Sequence, residues 1–172
     1  MVRPPDLLER WIRHTRKARS RKEATHAHDR CLCGRRTFGD QHALARNLAT
    51  ELMTIEGVPD IPMFRKNTAA FVHELPSLGM SNVDGDSTYV RVQVLTNAGA
   101  LDRDKQLAVV SRLTALVAEA AGDSSLADRT WVLLTEAPDG GWGLAGHADT
   151  NEELVAAARA QISELQAKKP ND

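Results

Sequence analysis

Tyr89-Val90-Arg91-Val92-Gln93-Val94-Leu95-Thr96 decides the fold. Val90, Val92 and Val94 alternate with Tyr89, Arg91 and Gln93, the period of two expected of a strand with one buried face. Downstream, Asp102 is placed to cap a helix that carries Leu107, Val110, Leu113 and Val117 and closes at Gly122. Arg129-Thr130-Trp131-Val132-Leu133-Leu134-Thr135-Glu136 then reads as a mostly apolar strand, stopped by Pro138. Strand, helix and strand in that order make a βαβ unit.

Working outward, the same order recurs upstream. Asp40 is an N-cap, Leu44, Leu48, Leu52 and Ile55 follow at helical spacing, and Gly57 ends the helix. Pro59 and Pro62 are expected to keep the next segment extended, before a strand over Thr68–Leu75 that Pro76 stops. Ser77 to Ser87 reads as a loop. Asp40 and Asp102 are 62 residues apart, as are Leu48 and Val110, Ile55 and Val117, Glu74 and Glu136, and Pro76 and Pro138. One offset shared by a cap, two core positions and a strand end indicates a duplicated unit. The offset puts the missing first strand at Ala27–Gly34, with His28 opposite Val90. That stretch, Ala27-His28-Asp29-Arg30-Cys31-Leu32-Cys33-Gly34, has no obvious strand face. At the other end, Thr150 and Glu153 form a capping box for a last helix through Leu154, Ala158, Ile162 and Leu165.

The 172 residues carry 22 Lys+Arg and 23 Asp+Glu, and 42% are hydrophobic, enough for a real core. No apolar run approaches a membrane span, and no signal peptide is visible at the start, so a cytoplasmic protein is expected. Aromatics at 4% argue against base-stacking nucleic-acid folds. The charge is uneven: residues 1–36 hold 11 Lys/Arg and 4 Asp/Glu, whereas residues 37–172 hold 11 and 19. The expectation is a basic, disordered arm over 1–36 and a folded domain over 37–172.

The second half resembles the tautomerase superfamily, whose simplest enzyme is 4-oxalocrotonate tautomerase. The motifs are the strand Val90–Thr96, Gly99 in a turn, the cap Asp102, a strand ending Thr135-Glu136, and the hairpin Gly141-Trp142-Gly143-Leu144-Ala145-Gly146. Their order and duplication resemble the fused two-unit members. The resemblance implies an α/β (α+β) protein with a βαββαβ core, a mixed sheet and an extra C-terminal helix, assembled as a homotrimer. It implies keto–enol chemistry on an enolisable small-molecule carbonyl compound, without cofactor, an N-terminal proline serving as base. A desolvated amine sheds its charge near neutral pH and can then move a proton between carbon and oxygen. By the repeat, that proline lines up with His28; Pro4 and Pro5 lie far upstream. Arginines that the family uses on substrate fall on Ala100, Asn97 and Trp131, whereas the aromatic pocket wall matches Trp142. The candidate substrate-binding residues are therefore Trp142, Asn97, Tyr89 and His73, and the catalytic base is missing near His28.

His26, His28, Cys31 and Cys33 form the sharpest local cluster. They are types that bind zinc, but Cys-x-Cys suits one tetrahedral site poorly, and no metal is expected. Another reading is that the stretch is translated out of frame: a one-nucleotide shift permits Met-Pro-Thr-Thr-Val-Val-Phe-Ala, a strand opening on proline. The functional expectation is a tautomerase-type isomerase; the alternative is a non-catalytic trimeric binding protein whose basic arm contacts nucleic acid.

Overall fold

The computed structural model describes residues 27–34, 37–76 and 78–168. The expected arm lies outside the described residues over 1–26 and at 35 and 36. Its inner part does not: His28–Cys33 is a strand, β1. It pairs in parallel with β2, Ala69–Glu74, and antiparallel with β3, Val90–Asn97. β4, Thr130–Ala137, joins β3 in parallel, so the sheet order is β2-β1-β3-β4. Two βαβ units are thus joined through their first strands into one mixed sheet.

The expectation that Ala27–Gly34 lacks a strand face is overturned. Ala27, Asp29, Cys31 and Cys33 point to one side and are buried, while His28, Arg30 and Leu32 point to the other. Two features rescue the strand. Cysteine packs as a small hydrophobe, and a central strand is held by backbone hydrogen bonds on both edges. The misfit is Asp29, which is fully buried and whose carboxylate oxygens have no hydrogen-bond partner among the described residues. Burial, reinforced by the nearby Glu56 carboxyl, pushes its pKa up to about 8, so the group is kept largely neutral at pH 7.

One face of the sheet is covered by α1, Gln41–Glu56, and by α3, Arg103–Ala121. Both begin alike. The Asp40 carboxylate accepts from the Ala43 amide at 2.8 Å, and that of Asp102 from Lys105 at 3.0 Å. Both end on a left-handed glycine, Gly57 at φ 71° and Gly122 at φ 65°. Between those ends the offset slips. Leu44, Leu48 and Leu52 are matched by Val109, Leu113 and Val117, because α3 has 19 residues against 16. Val110 and Leu107, expected in the core, are 39% and 53% exposed. Each fully buried Leu of this layer contributes on the order of 2 kcal/mol. The strands also shift: the register sets Asp29 and Cys31 against Ala70 and Val72, as it sets Val92 and Val94 against Val132 and Leu134. His28 therefore corresponds to Arg91, not to Val90.

The repeat is most literal after each second strand. The Gly79 amide donates to the Pro76 carbonyl at 2.8 Å, and that of Gly141 to Pro138 at 2.7 Å. A Cβ at either glycine would lie 2.9 or 2.8 Å from that proline oxygen, so both turns require glycine. From Gly141 the chain enters a hairpin, β5 Trp142–Leu144 with β6 His147–Asp149. The last helix, α4 Asn151–Ala167, starts on the expected capping box of Thr150 and Glu153. It packs Leu154 and Ala158 on Phe64 of a short helix, α2 Pro62–Asn67, and on Ile61 at its N-cap. That helix corrects the extended reading of the segment: proline is well suited to a first helical turn, where its missing amide is no loss. Among the described residues no helix is long and apolar enough to cross a membrane.

Candidate active site

The sheet face away from α1 and α3 carries no helix of the two βαβ units. It presents His28, Arg30 and Leu32 from β1, Phe71 and His73 from β2, and Arg91, Gln93 and Leu95 from β3. Phe71 is 49% exposed there, and Trp131 and Leu133 of β4 are 42% and 44% exposed.

β1 begins where β4 ends, because β1 and β3 run antiparallel and β3 and β4 parallel. The hairpin that follows β4 therefore returns to the start of β1. Trp142 is carried there by the Pro138–Gly141 turn and is buried. Its indole meets the His28 imidazole edge-on, with ring centroids 4.8 Å apart. On the other side His28 meets Phe71 at 5.9 Å, again edge-on, and Phe71 stacks on His73 at 6.4 Å. Four rings thus run along the open face from the start of β1 to the end of β2, where His73 pairs in register with Leu32, and Arg30 lies two residues along the same strand face, register-paired with Phe71 and Gln93.

This environment tunes His28. Desolvation lowers its pKa from the ordinary 6.5, partly opposed by a hydrogen bond to the Asn67 backbone. A neutral imidazole has one ring nitrogen as a donor and the other as an acceptor lone pair. With the Trp142 and Phe71 rings against it and Arg30 on the same strand face, such a ring can accept a proton.

The structure brings Trp142 and His73 of the expected residues into this cluster. Asn97 stands at the same end of the sheet, two residues beyond Leu95, which pairs with His28; it is 3% exposed, and its amide donates to the Asn151 side chain at 3.1 Å, tying the end of β3 to the start of α4. Tyr89 is at the far end of the sheet, its ring 4.7 Å from Trp131. His28, Arg30 and Phe71 of this ring cluster were not among the residues expected from the sequence; the repeat had aligned His28 only with the start of a missing strand.

The Cys–His cluster does not converge. Strand alternation sends His28 to the open face and Cys31 and Cys33 into the helix-side core; His26 lies outside the described residues. Burial pushes the thiols up, Cys31 to about 12 and Cys33 to about 11, so neither is a ready thiolate ligand. His147, Asp149 and Glu153 do bring ligand atoms within 4.8 Å of one another at the surface. Glu153 is already engaged there, accepting from the Thr150 amide at 2.8 Å and hydroxyl at 2.9 Å. A groove of about 870 Å³ runs between α1, α2 and the start of β2, past His42, Arg46, Met53 and Arg65. It does not include the ring cluster, and its Arg65 is tied to Asp60.

No family model and no curated protein matches the chain. Solved structures do. The wild-type fused 4-OT asymmetric trimer F6 is 16% identical, with a TM-score of 0.58 over 74% of this chain and 98% of that one. N1, a member of the cis-3-chloroacrylic acid dehalogenase family, is 16% identical with a TM-score of 0.57, over 83% and 92%. Macrophage migration inhibitory factor from Oncomelania hupensis is 12% identical with a TM-score of 0.59, over 85% and 98%. The chain shares the two-unit βαββαβ fold of these solved structures.

Proposed function

We propose that the protein is a tautomerase-type isomerase that moves a proton between the α-carbon and the oxygen of a small enolisable carbonyl compound, with His28 as the base. The carrying observation is the His28–Trp142 contact. It puts a desolvated imidazole against an aromatic wall at the strand start where the resemblance expects the base. In the reaction, the free ring nitrogen takes the α-proton, and the C–H electron pair becomes the C=C bond of an enolate. The imidazolium then gives a proton to the enolate oxygen, and the ring is neutral again. Arg30 stabilises the negative oxygen while it lasts. Trp142, Phe71 and His73 shape the site for an apolar or planar substrate body.

The active form is a homotrimer. Phe71 on β2 and Trp131 and Leu133 on β4 leave exposed apolar groups at both edges of the open face, and β2 and β4 are the edge strands of the sheet. A solved relative of this fold is described as a trimer. Cytoplasmic placement fits two free cysteines two residues apart on one strand.

The test is enol–keto interconversion of phenylpyruvate followed by ultraviolet absorbance. Saturable turnover above the buffer rate is expected. An inactive trimer retained on DNA in a salt-dependent way would replace this reading with that of a binding protein with a basic arm.

A further inference from the structure

The groove beside α1 has the make-up of a docking site. Ala45, Ala49 and Met53 follow one another at four-residue spacing along α1, and Ala69 and Ala70 line the groove from β2. Alanine side chains end at Cβ, so the space of about 870 Å³ exists for want of bulk on both elements. A groove of this size with an apolar floor takes large apolar side chains from a partner. It lies on the helix-covered side of the sheet, where Ala70 packs against the core, and not on the open face that the trimer reading uses. Arg46 lines it and has no ion-pair partner among the described residues.

One segment of this chain joins the fold beside that groove. The Ala69 amide donates to the Ala27 carbonyl at 3.2 Å, and Ala69 is a lining residue, so residues 1–26, which lie outside the described residues, enter the sheet at the groove's edge. They include Asp6-Leu7-Leu8-Glu9-Arg10-Trp11-Ile12, which holds every leucine, isoleucine and tryptophan of residues 1–26. Leu7, Leu8, Trp11 and Ile12 recur at the spacing that gathers side chains on one side of a helical turn. Asp6 and Glu9 among them are opposite in charge to Arg46. Residues 13–26 separate this cluster from Ala27. At about 3.3–3.6 Å per extended residue they outreach the roughly 18 Å that α1 covers from His42 to Thr54. Joined by so short a linker, the cluster stands at an effective concentration on the order of millimolar, so even a weak site is occupied.

We propose that the groove beside α1 is the docking site of this chain's own residues 6–12. Trp11, with Leu7, Leu8 and Ile12, fills the space over Ala45, Ala49 and Met53, and Asp6 and Glu9 lie toward Arg46. Docking holds the amino-terminal arm on the helix side and off the ring cluster, whose His28 directly follows Ala27. A site filled by effective concentration adds little stability, so it is read by proximity and not by melting.

The experiment uses the full chain labelled with 5-fluorotryptophan and carrying a nitroxide on Asn47→Cys, observed by fluorine NMR. Asn47 is exposed on α1 and does not line the groove. The native Cys31 and Cys33, 0% and 1% exposed, are out of the reagent's reach. The tryptophans are Trp11, Trp131 and Trp142, and Trp11→Phe assigns the resonance of interest. Relative to the ascorbate-reduced label, the Trp11 signal is expected to weaken at least about twofold, as half occupancy requires. Ala49→Phe, which fills the groove, should restore it. So should Leu7→Ser with Leu8→Ser, which alters only the arm and keeps the test readable if Ala49→Phe fails to fold. Nitroxide chains without fluorine, co-assembled with fluorinated chains without nitroxide, should leave the Trp11 signal sharp. Three results overturn the proposal: an unweakened Trp11 signal in the full chain, weakening that survives the Leu7 and Leu8 substitutions, or weakening in the mixed assembly as strong as within one chain, which would give the groove to a neighbour's arm.

Discussion

The His28 imidazole stands edge-on to the Trp142 indole at 4.8 Å between centroids, although one opens the first strand and the other opens the hairpin after the last strand of the sheet. The contact exists because the two units run head to tail across the sheet, so that the end of one meets the beginning of the other. It couples the titration of His28 to the packing of Trp142.

Trp142→Ala therefore has two linked effects. Removing the indole readmits water to His28, and its pKa, lowered by desolvation, rises toward 6.5. Turnover at neutral pH should fall about tenfold or more, because the wall that orients the substrate is gone. NMR titration of the His28 ring alongside a rate measurement checks both. A variant that loses turnover with an unmoved His28 titration, or that no longer assembles, assigns Trp142 a purely structural role.

Asp29 gives the protein an unusual pH dependence. Its native pKa of about 8 lies above the ordinary 3.8, so between those values the folded state binds more protons than the unfolded state. Stability contributed by the neutral group is complete below 3.8 and is lost as pH rises through about 8. Asp29→Asn removes the titration. Its melting temperature should exceed that of the parent by several degrees at pH 9 and by much less at pH 5. An equal difference at both values would contradict the burial of a titrating carboxyl.

The paired turns allow one substitution to be tested against its own repeat. Gly141→Ala and Gly79→Ala each force a Cβ to within 2.8 or 2.9 Å of a proline oxygen, and each should destabilise by about 1–3 kcal/mol. Only Gly141→Ala displaces Trp142, so only it should also lower turnover beyond what its stability loss explains. Thermal melts and rates on both variants decide this.

The strand β1 divides the amino-terminal segment. Deleting residues 1–25 should leave the melting temperature within a few degrees, since this stretch has the charge of a solvated arm and no core pattern. Deleting residues 1–34 removes the strand paired to both β2 and β3 and should abolish cooperative melting. If the shorter deletion alone unfolds the protein, the arm is part of the fold.

Much of this architecture was legible because it rests on strong local signals. The valine alternation of β3, the Asp–Gly brackets of α1 and α3, and the strand-ending Pro76 and Pro138 each follow from backbone chemistry at fixed spacing. β1 was not legible, because its buried face is Asp29, Cys31 and Cys33, and its pairing on both sides substitutes for an apolar pattern. Val110 was misassigned for another reason. A constant offset was carried through α3, whereas the three extra residues of that helix rotate Val109 into the core instead. Of the residues singled out for a site, Trp142 and His73 stand in one line of rings with His28 and Phe71, Asn97 lies at the same end of the sheet as His28, and Tyr89 lies at the other end against Trp131. Which end of a duplicated sheet a residue reaches is set by strand order, which the sequence does not state.

The most direct measurement is the pH dependence of kcat/KM for phenylpyruvate enol–keto interconversion in the parent and in His28→Gln, which keeps the ring's hydrogen-bonding reach but cannot carry the proton. The parent should show an acid limb with a midpoint below 6.5, since desolvation lowers the His28 pKa. His28→Gln should lose that limb and about 10²–10⁴ of the rate while melting at the parent's temperature. A folded His28→Gln protein with the parent's rate and the parent's acid limb would contradict the assignment of His28 as the base.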